Sequence, residues 1–290
     1  MENFLGFMIV QCLNALSQAS LLFLIAVGLT LIFGIMRVIN FAHGSIYMLG
    51  AYVGYKVVAL TDNFWLALII SPIIVAGVGA IFERFFIKWL YGRDGGAFLM
   101  VTFGLAVILG EIVRLTFGTS PLGISIPDAL RGIVFVFDFG FPHYRLFLIG
   151  IGFLVAVGLW QFLDKTRVGL LIRATAQNPE MVHALGTNVA MVRTGVFALG
   201  CGLAALGGVL AAPMVTAFLG MGSTVIIDAF VIVIIGGMGS FLGSIIGSLL
   251  VAFVQVFGSY YFPSLALAAM YAIMLIVLII RPGGLLGKEE

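Results

Sequence analysis

What most constrains this chain is a series of uninterrupted apolar runs, most of them close to the roughly 20 residues that a helix needs to cross a bilayer. They read as Met8–Met36, Phe41–Leu60, Phe64–Ile87, Phe98–Phe117, Tyr144–Leu163, Val192–Thr216, Phe241–Tyr260 and Ser264–Ile280, with a shorter one at Thr224–Gly237. Strands of a membrane barrel alternate apolar and polar residues, and these runs do not, so a barrel is excluded. Composition agrees: of 290 residues, 62% are hydrophobic and 9% charged, whereas a soluble domain carries about 25% charged residues. The expectation is an all-α polytopic membrane protein with eight to nine transmembrane segments, some of them glycine-broken. Residues 1–290 read as one membrane domain, because no low-complexity linker interrupts them.

The start MENFLGFMIVQCL has Glu2 and no basic leader region, so it reads as the first span rather than a cleaved signal. Cys12 and Cys201 sit inside apolar runs without a CxxC or histidine partner, so neither disulfide nor metal site is expected. A net charge of +2 with scattered basic residues gives no case for nucleic acid. Short cytoplasmic loops retain Lys and Arg. With the segment 164–190 inside, strict alternation puts ten basic residues on that side (Arg37, Arg84, Lys88, Arg93, Lys165, Arg167, Arg173, Arg193, Arg281 and Lys288). Four remain outside: Lys56, Arg114, Arg131 and Arg145. The N-terminus is then external and the C-terminus cytoplasmic, provided Thr224–Gly237 crosses. The long external loop 118–143 carries Pro121, Pro127 and Pro142, and its stretch RGIVFVFDFGF fits a short strand or an interfacial segment.

Two stretches break the helical pattern. Asn40-Phe41-Ala42-His43-Gly44-Ser45 lies between the first two spans, and Gly236-Gly237-Met238-Gly239-Ser240 follows a run of β-branched residues. Backbone freed at membrane depth must be buried in protein or line a watery cavity. Each break is therefore either part of a solute path or a product of helix packing and loop geometry. Gly44-Ser45-Ile46 at the end of the first and Gly243-Ser244-Ile245 after the second repeat one tripeptide, which could mark two related halves. By contrast Gly200, Ala204 and Gly208, and likewise Gly243 and Gly247, recur every fourth residue and fit close helix packing.

Gln11, Asn14 and Gln18 share one helix face, which suits either interhelical hydrogen bonds or a polar lining for a solute. Glu111 and Arg114 are spaced to pair on one helix. Glu83 and Arg84 are expected to snorkel to headgroups at an inner end, and Asp228, opening the short segment, to face external water. His43 has no acidic neighbour in sequence to make a proton relay. No phosphate loop or hydrolase motif is present, so ATP would have to be handled by another chain.

The segment 164–190 is the one polar stretch with a local design. Asn178, Pro179 and Glu180 read as helix cap, first and second residues. Met181, Val182, Ala184 and Leu185 give an apolar surface, and Gly186 a left-handed exit. A two-turn helix is marginal alone, so it fits a groove on a soluble partner better than a place on the headgroups.

Four segments, GLTLIFGIMRVINFAHGSIYMLGAY (Gly28–Tyr52), RATAQNPEMVHALGTN (Arg173–Asn188), FVIVIIGGMGSFLGSIIGSLL (Phe230–Leu250) and RPGGLLGK (Arg281–Lys288), resemble in order and spacing the permeases of bacterial ATP-binding-cassette importers for branched-chain amino acids, of the LivH subunit type. The likeness spans nearly the whole chain. It implies the importer-permease fold in a bacterial inner membrane, a second permease subunit (usually a different one), two cytoplasmic ATPases that bind the ATP and magnesium, and a periplasmic substrate-binding protein. It also implies that Arg173, Ala174, Asn178, Pro179, Glu180, Leu185 and Gly186 form the element that docks on an ATPase. The path would pass the breaks at Asn40, His43, Gly44 and Ser45 and at Gly236, Gly237, Gly239 and Ser240. The chain would then be a transport subunit, not an enzyme. Related permeases carry urea, short amides or aromatic acids. The rival from another class is a secondary transporter acting alone, which predicts an intramembrane acid or cation site.

Overall fold

A computed structural model of the chain describes residues 2–91, 95–136 and 139–287, so Arg93 and Lys288 of the inner-side basic set lie outside the described residues. The helices, in chain order, are α1 (Glu2–Met36), α2 (Ala42–Thr61), α3 (Phe64–Phe85), α4 (Gly95–Phe117), α5 (His143–Lys165), α6 (Arg167–Gln177), α7 (Pro179–Ala184), α8 (Val189–Val215), α9 (Met221–Gly236), α10 (Phe241–Tyr261) and α11 (Ala266–Ile280). Among the described residues, seven helical stretches are long and apolar enough to cross a membrane: Phe4–Met36, Phe64–Phe85, Gly95–Phe117, His143–Lys165, Val189–Val215, Phe241–Tyr261 and Pro263–Ile280. Two further helices correspond to expected spans without meeting that measure. α9 has 16 residues, and α2, at 20 residues, carries His43, Ser45, Tyr47, Tyr52, Tyr55 and Lys56. The chain is an all-α polytopic membrane protein, with one antiparallel hairpin among the described residues, β1 (Ile133–Val136) with β2 (Phe139–Pro142), inside the 118–143 loop. That loop is fixed to the end of α8 by the Leu122–Ala217 bridge.

Burial sorts the helices into layers. The spanning window of α1 is 78% buried and that of α8 72%, against 17% for the last helix, so α1 and α8 form the centre and α11 the rim. A helix apolar all round belongs either in such a core or against lipid, and α1, buried almost without a gap from Leu21 to Ile32, is of the first kind. Small residues let the central helices approach. A Cβ on Gly28 would lie 2.6 Å from the Gly200 carbonyl oxygen, and one on Gly50 the same distance from that of Ala205. Gly208 rests on the Tyr47 backbone, Gly243 on Gly236 and Gly247 on Ile232, so the four-residue spacings are packing stripes. Hydroxyls then join helix to helix. Thr30 and Ser244 Oγ atoms are 2.6 Å apart, Ser71 donates to the Gly50 carbonyl at 2.8 Å and Tyr144 to that of Leu210 at 2.7 Å. Each such bond contributes about 0.6 kcal/mol inside a membrane protein.

Two expectations about charged groups change. Arg84 is exposed, but Glu83 is only 1% exposed and does not reach the headgroups, because Tyr91 and Thr194 both hydrogen-bond it within the bundle. Asp228 does not open its segment: α9 starts at Met221, which puts Asp228 half-buried in mid-helix. Glu111 and Arg114 do pair, at 2.5 Å on an exposed face of α4.

Candidate coupling loop and solute path

The segment 164–190 folds as three successive capped starts. Thr166 leaves the helical region after α5, and its Oγ1 accepts from the Gly169 amide at 3.0 Å to begin α6. Asn178 Oδ1 accepts from the Met181 amide at 2.9 Å to begin α7. Asn188 Oδ1 accepts from the Met191 amide at 3.1 Å to begin α8. Side-chain acceptors satisfy amides that a helix start otherwise leaves free. Pro179 occupies the first helical position, where its missing N–H costs nothing, and Glu180 lies in the first turn.

Helix α7 ends as the glycine demands. Gly186 sits at φ +84°, its amide donates to the His183 carbonyl at 2.9 Å, and the Thr187 amide donates to that of Val182 at 3.3 Å. These two bonds make a Schellman closure, which satisfies two of the terminal carbonyls. Val182 is buried against the protein, while Met181 and Leu185 are 58% and 78% exposed. An apolar pair thus faces outward from a rigidly capped turn. Helix α6 was not anticipated: Gly169, Ile172 and Thr175 are buried, and Asp164 accepts from Arg173 at 2.8 Å. Arg173 is therefore tied to the end of α5, and the Ala174 carbonyl accepts from the Asn178 amide at 2.9 Å, which joins α6 to α7. The Thr166 cap and the spacing of Ile172 and Thr175 were the available signals for α6.

The residues expected along a solute path fall into two groups. Asn14 Nδ2 donates to Gln11 Oε1 at 3.3 Å, and Arg145 at the start of α5 donates to Asn14 Oδ1. One turn on, Gln18 lines an open cleft of about 430 Å³ with Gln255, Ser259 and Pro263 of the α10–α11 corner. The residues of the two breaks mostly pack inside. Asn40 and His43 are fully buried. Asn40 Oδ1 accepts from the Ala42 amide at 3.0 Å, and His43 Nε2 donates to the Ile25 carbonyl at 3.0 Å. Gly44 rests on the Gly222 backbone, and Ser45 donates to the Ala106 carbonyl at 3.2 Å.

The second break is closed by the chain's own tail. Gly237 (φ +100°) and Gly239 (φ +83°) turn the chain out of α9, and Ser240 Oγ accepts from the Gly243 amide at 3.1 Å to start α10. The carbonyls exposed at the end of α9 are taken by the tail, with Leu285 donating to Ile235 at 2.8 Å and Leu286 to Gly236 at 3.1 Å. A Cβ on Gly284 would lie 2.6 Å from Gly237 Cα, and one on Gly237 2.3 Å from the Gly287 nitrogen, so neither has room. Sequence showed the Gly236–Gly239 break but not that the glycine-containing tail closes on it.

The family model for the branched-chain amino acid transport system permease component matches residues 11–280. The chain belongs to that family. It is 30% identical over 297 residues to the high-affinity branched-chain amino acid transport system permease protein BraD of Pseudomonas aeruginosa, covering 97% of this chain and 96% of that one. It is 29% identical to the corresponding permease LivH of Salmonella typhimurium, covering 100% of this chain and 98% of that one. Its fold is shared with PsaBC from Streptococcus pneumoniae, solved in complex with Fab, with a TM-score of 0.51 at 14% identity over 93% of this chain and 91% of that one. This permease is thus a multi-pass membrane protein of a transport family.

Proposed function

We propose that this permease is the membrane-spanning subunit of an ATP-binding-cassette importer that carries branched-chain amino acids across a bacterial inner membrane. The observation that carries the proposal is the 164–190 segment, where three caps and a Schellman closure hold Met181 and Leu185 outward on a short helix. Such a helix gains most of its stability from what it packs on, which fits an ATPase groove that receives Asn178, Pro179, Glu180, Leu185 and Gly186. Arg173 and Ala174 support it from behind. The chain itself is the transport subunit, and two ATPases, a second permease and a periplasmic binding protein complete the machine.

The chain crosses nine times in this reading, with α2 and α9 counted. In support, Met36 at the end of α1 and Glu83 near the end of α3 both meet Tyr91, so α2 runs back between them. Likewise the end of α8 meets the 118–143 loop, and the end of α9 meets the tail. The 164–190 segment and the C-terminus then face the cytoplasm, and the N-terminus and the 118–143 loop the periplasm. Solute passes by alternating access between the two permeases. Gln11, Asn14 and Gln18 border the outer vestibule. The breaks at Asn40–Ser45 and Gly236–Ser240 shape the path through backbone packing rather than solute contact. A zwitterion with an apolar side chain needs few polar contacts, which suits a cleft that offers Gln18, Gln255 and Ser259.

Extraction from the native membrane in mild detergent, followed by mass spectrometry of the co-purifying chains, tests the assembly. Two ATPase copies and a second permease are expected. A chain that emerges alone and moves solute in liposomes without ATP would overturn the proposal in favour of a secondary transporter.

A further inference from the structure

Glu83 is a buried carboxylate that neither the coupling loop nor the solute path uses. Tyr91 Oη donates to its Oε1 and Thr194 Oγ1 to its Oε2, both at 2.5 Å. The same Tyr91 hydroxyl lies 3.6 Å from Met36 Sδ, and the Arg193 guanidinium stands 4.5 Å from the Tyr91 ring centroid. Four elements converge here: the end of α1, the end of α3, the chain just after the Ile87–Leu90 turn, and the start of α8.

Adhesion alone does not account for a carboxylate at this place. Removing a carboxylate from water costs several kcal/mol, and an apolar residue of similar volume commonly holds buried elements together as well or better. Moreover α3 and α8 already pack closely one turn deeper, where a Cβ on Gly79 would lie 2.5 Å from Cys201 Sγ. What the carboxylate adds is register, with one oxygen bonded to each neighbour and neither able to slide without breaking its bond. Thr194 lies in the second turn of α8, whose cap Asn188 ends the coupling loop, so the intervening helix is about 9 Å of rigid rod.

We infer that Glu83 is a positioning residue for coupling, holding the inner ends of α1 and α3 in step with the start of α8 so that displacement of the loop moves all three together. The inference rests on the importer reading above. The test uses the full importer reconstituted in proteoliposomes with its loaded binding protein, measuring ATP hydrolysed per solute imported. The variants are Thr194→Val, Tyr91→Phe and Glu83→Gln. Tyr144→Phe, which deletes a hydroxyl bond to α8 at its opposite end, is the control for lost stability. The first three should raise ATP per solute roughly 3- to 10-fold, while the control should leave it at the wild-type value whatever its thermal midpoint. A ratio equal to the control's in Thr194→Val and Tyr91→Phe would overturn the inference, and those two decide the matter if Glu83→Gln fails to assemble. Wild-type complex that imports without ATP would overturn the importer reading itself.

Discussion

Replacing Gly186 isolates the closure of α7 from every other feature of the proposed coupling loop. The residue sits at φ +84°, and a Cβ there would meet nothing within 4 Å, so the penalty of substitution is backbone strain alone. That penalty is about 1–2 kcal/mol for an ordinary side chain in the left-handed region, larger for a β-branched one and smaller for asparagine. Since about 1.4 kcal/mol is a factor of ten, Gly186→Val should cut the equilibrium constant for correct loop closure by at least about tenfold. Gly186→Asn should change it little, and Gly186→Ala should fall between. The assay is solute uptake, together with ATPase stimulation by loaded binding protein, in the reconstituted importer at matched membrane abundance. The expected order is glycine close to asparagine, then alanine, then valine. Full uptake and stimulation in the valine variant would refute the assignment of α7 as the docking element.

Loss of the α7 cap in Asn178→Ala should cost about 1 kcal/mol locally and reduce ATPase stimulation without lowering the thermal midpoint of the membrane bundle. Gly50→Ala forces a methyl into the Ala205 backbone and should destabilise by about 1–3 kcal/mol, read as a lower midpoint in detergent. Gly150→Ala, in mid-helix with open space around it, should not lower the midpoint. Truncation after Arg281 frees the Ile235 and Gly236 carbonyls from Leu285 and Leu286, at about 1–3 kcal/mol for each carbonyl left buried without a donor. The expected result is lower abundance and a lower midpoint, and an unchanged midpoint would show that the tail closes nothing.

What was readable in the sequence follows from how far apart the partners lie. The seven long apolar helices were readable because twenty apolar residues need no distant partner, and α7 because Asn178, Pro179, Glu180 and Gly186 act within a few residues of one another. α6 escaped notice because its buried face, Gly169, Ile172 and Thr175, holds a single large apolar side chain. Glu83 was misread because an acid near a span end ordinarily reaches water, while the groups that hold it are 8 and 111 residues away. The glycine break after α9 was recognised as a break, but the tail that closes it arrives only after two more helices. Asp228 was misplaced because the three residues Met221–Ser223 do not announce a helix start, and α9 has no side-chain cap there.

The most direct test is ATP-dependent uptake of radiolabelled leucine by proteoliposomes that contain this permease, its co-purified subunits and the cognate loaded binding protein. Accumulation that needs ATP, needs the binding protein and is competed by isoleucine and valine is the predicted result. Uptake that proceeds without ATP, or ATP-driven uptake indifferent to all three amino acids, would contradict the proposed function.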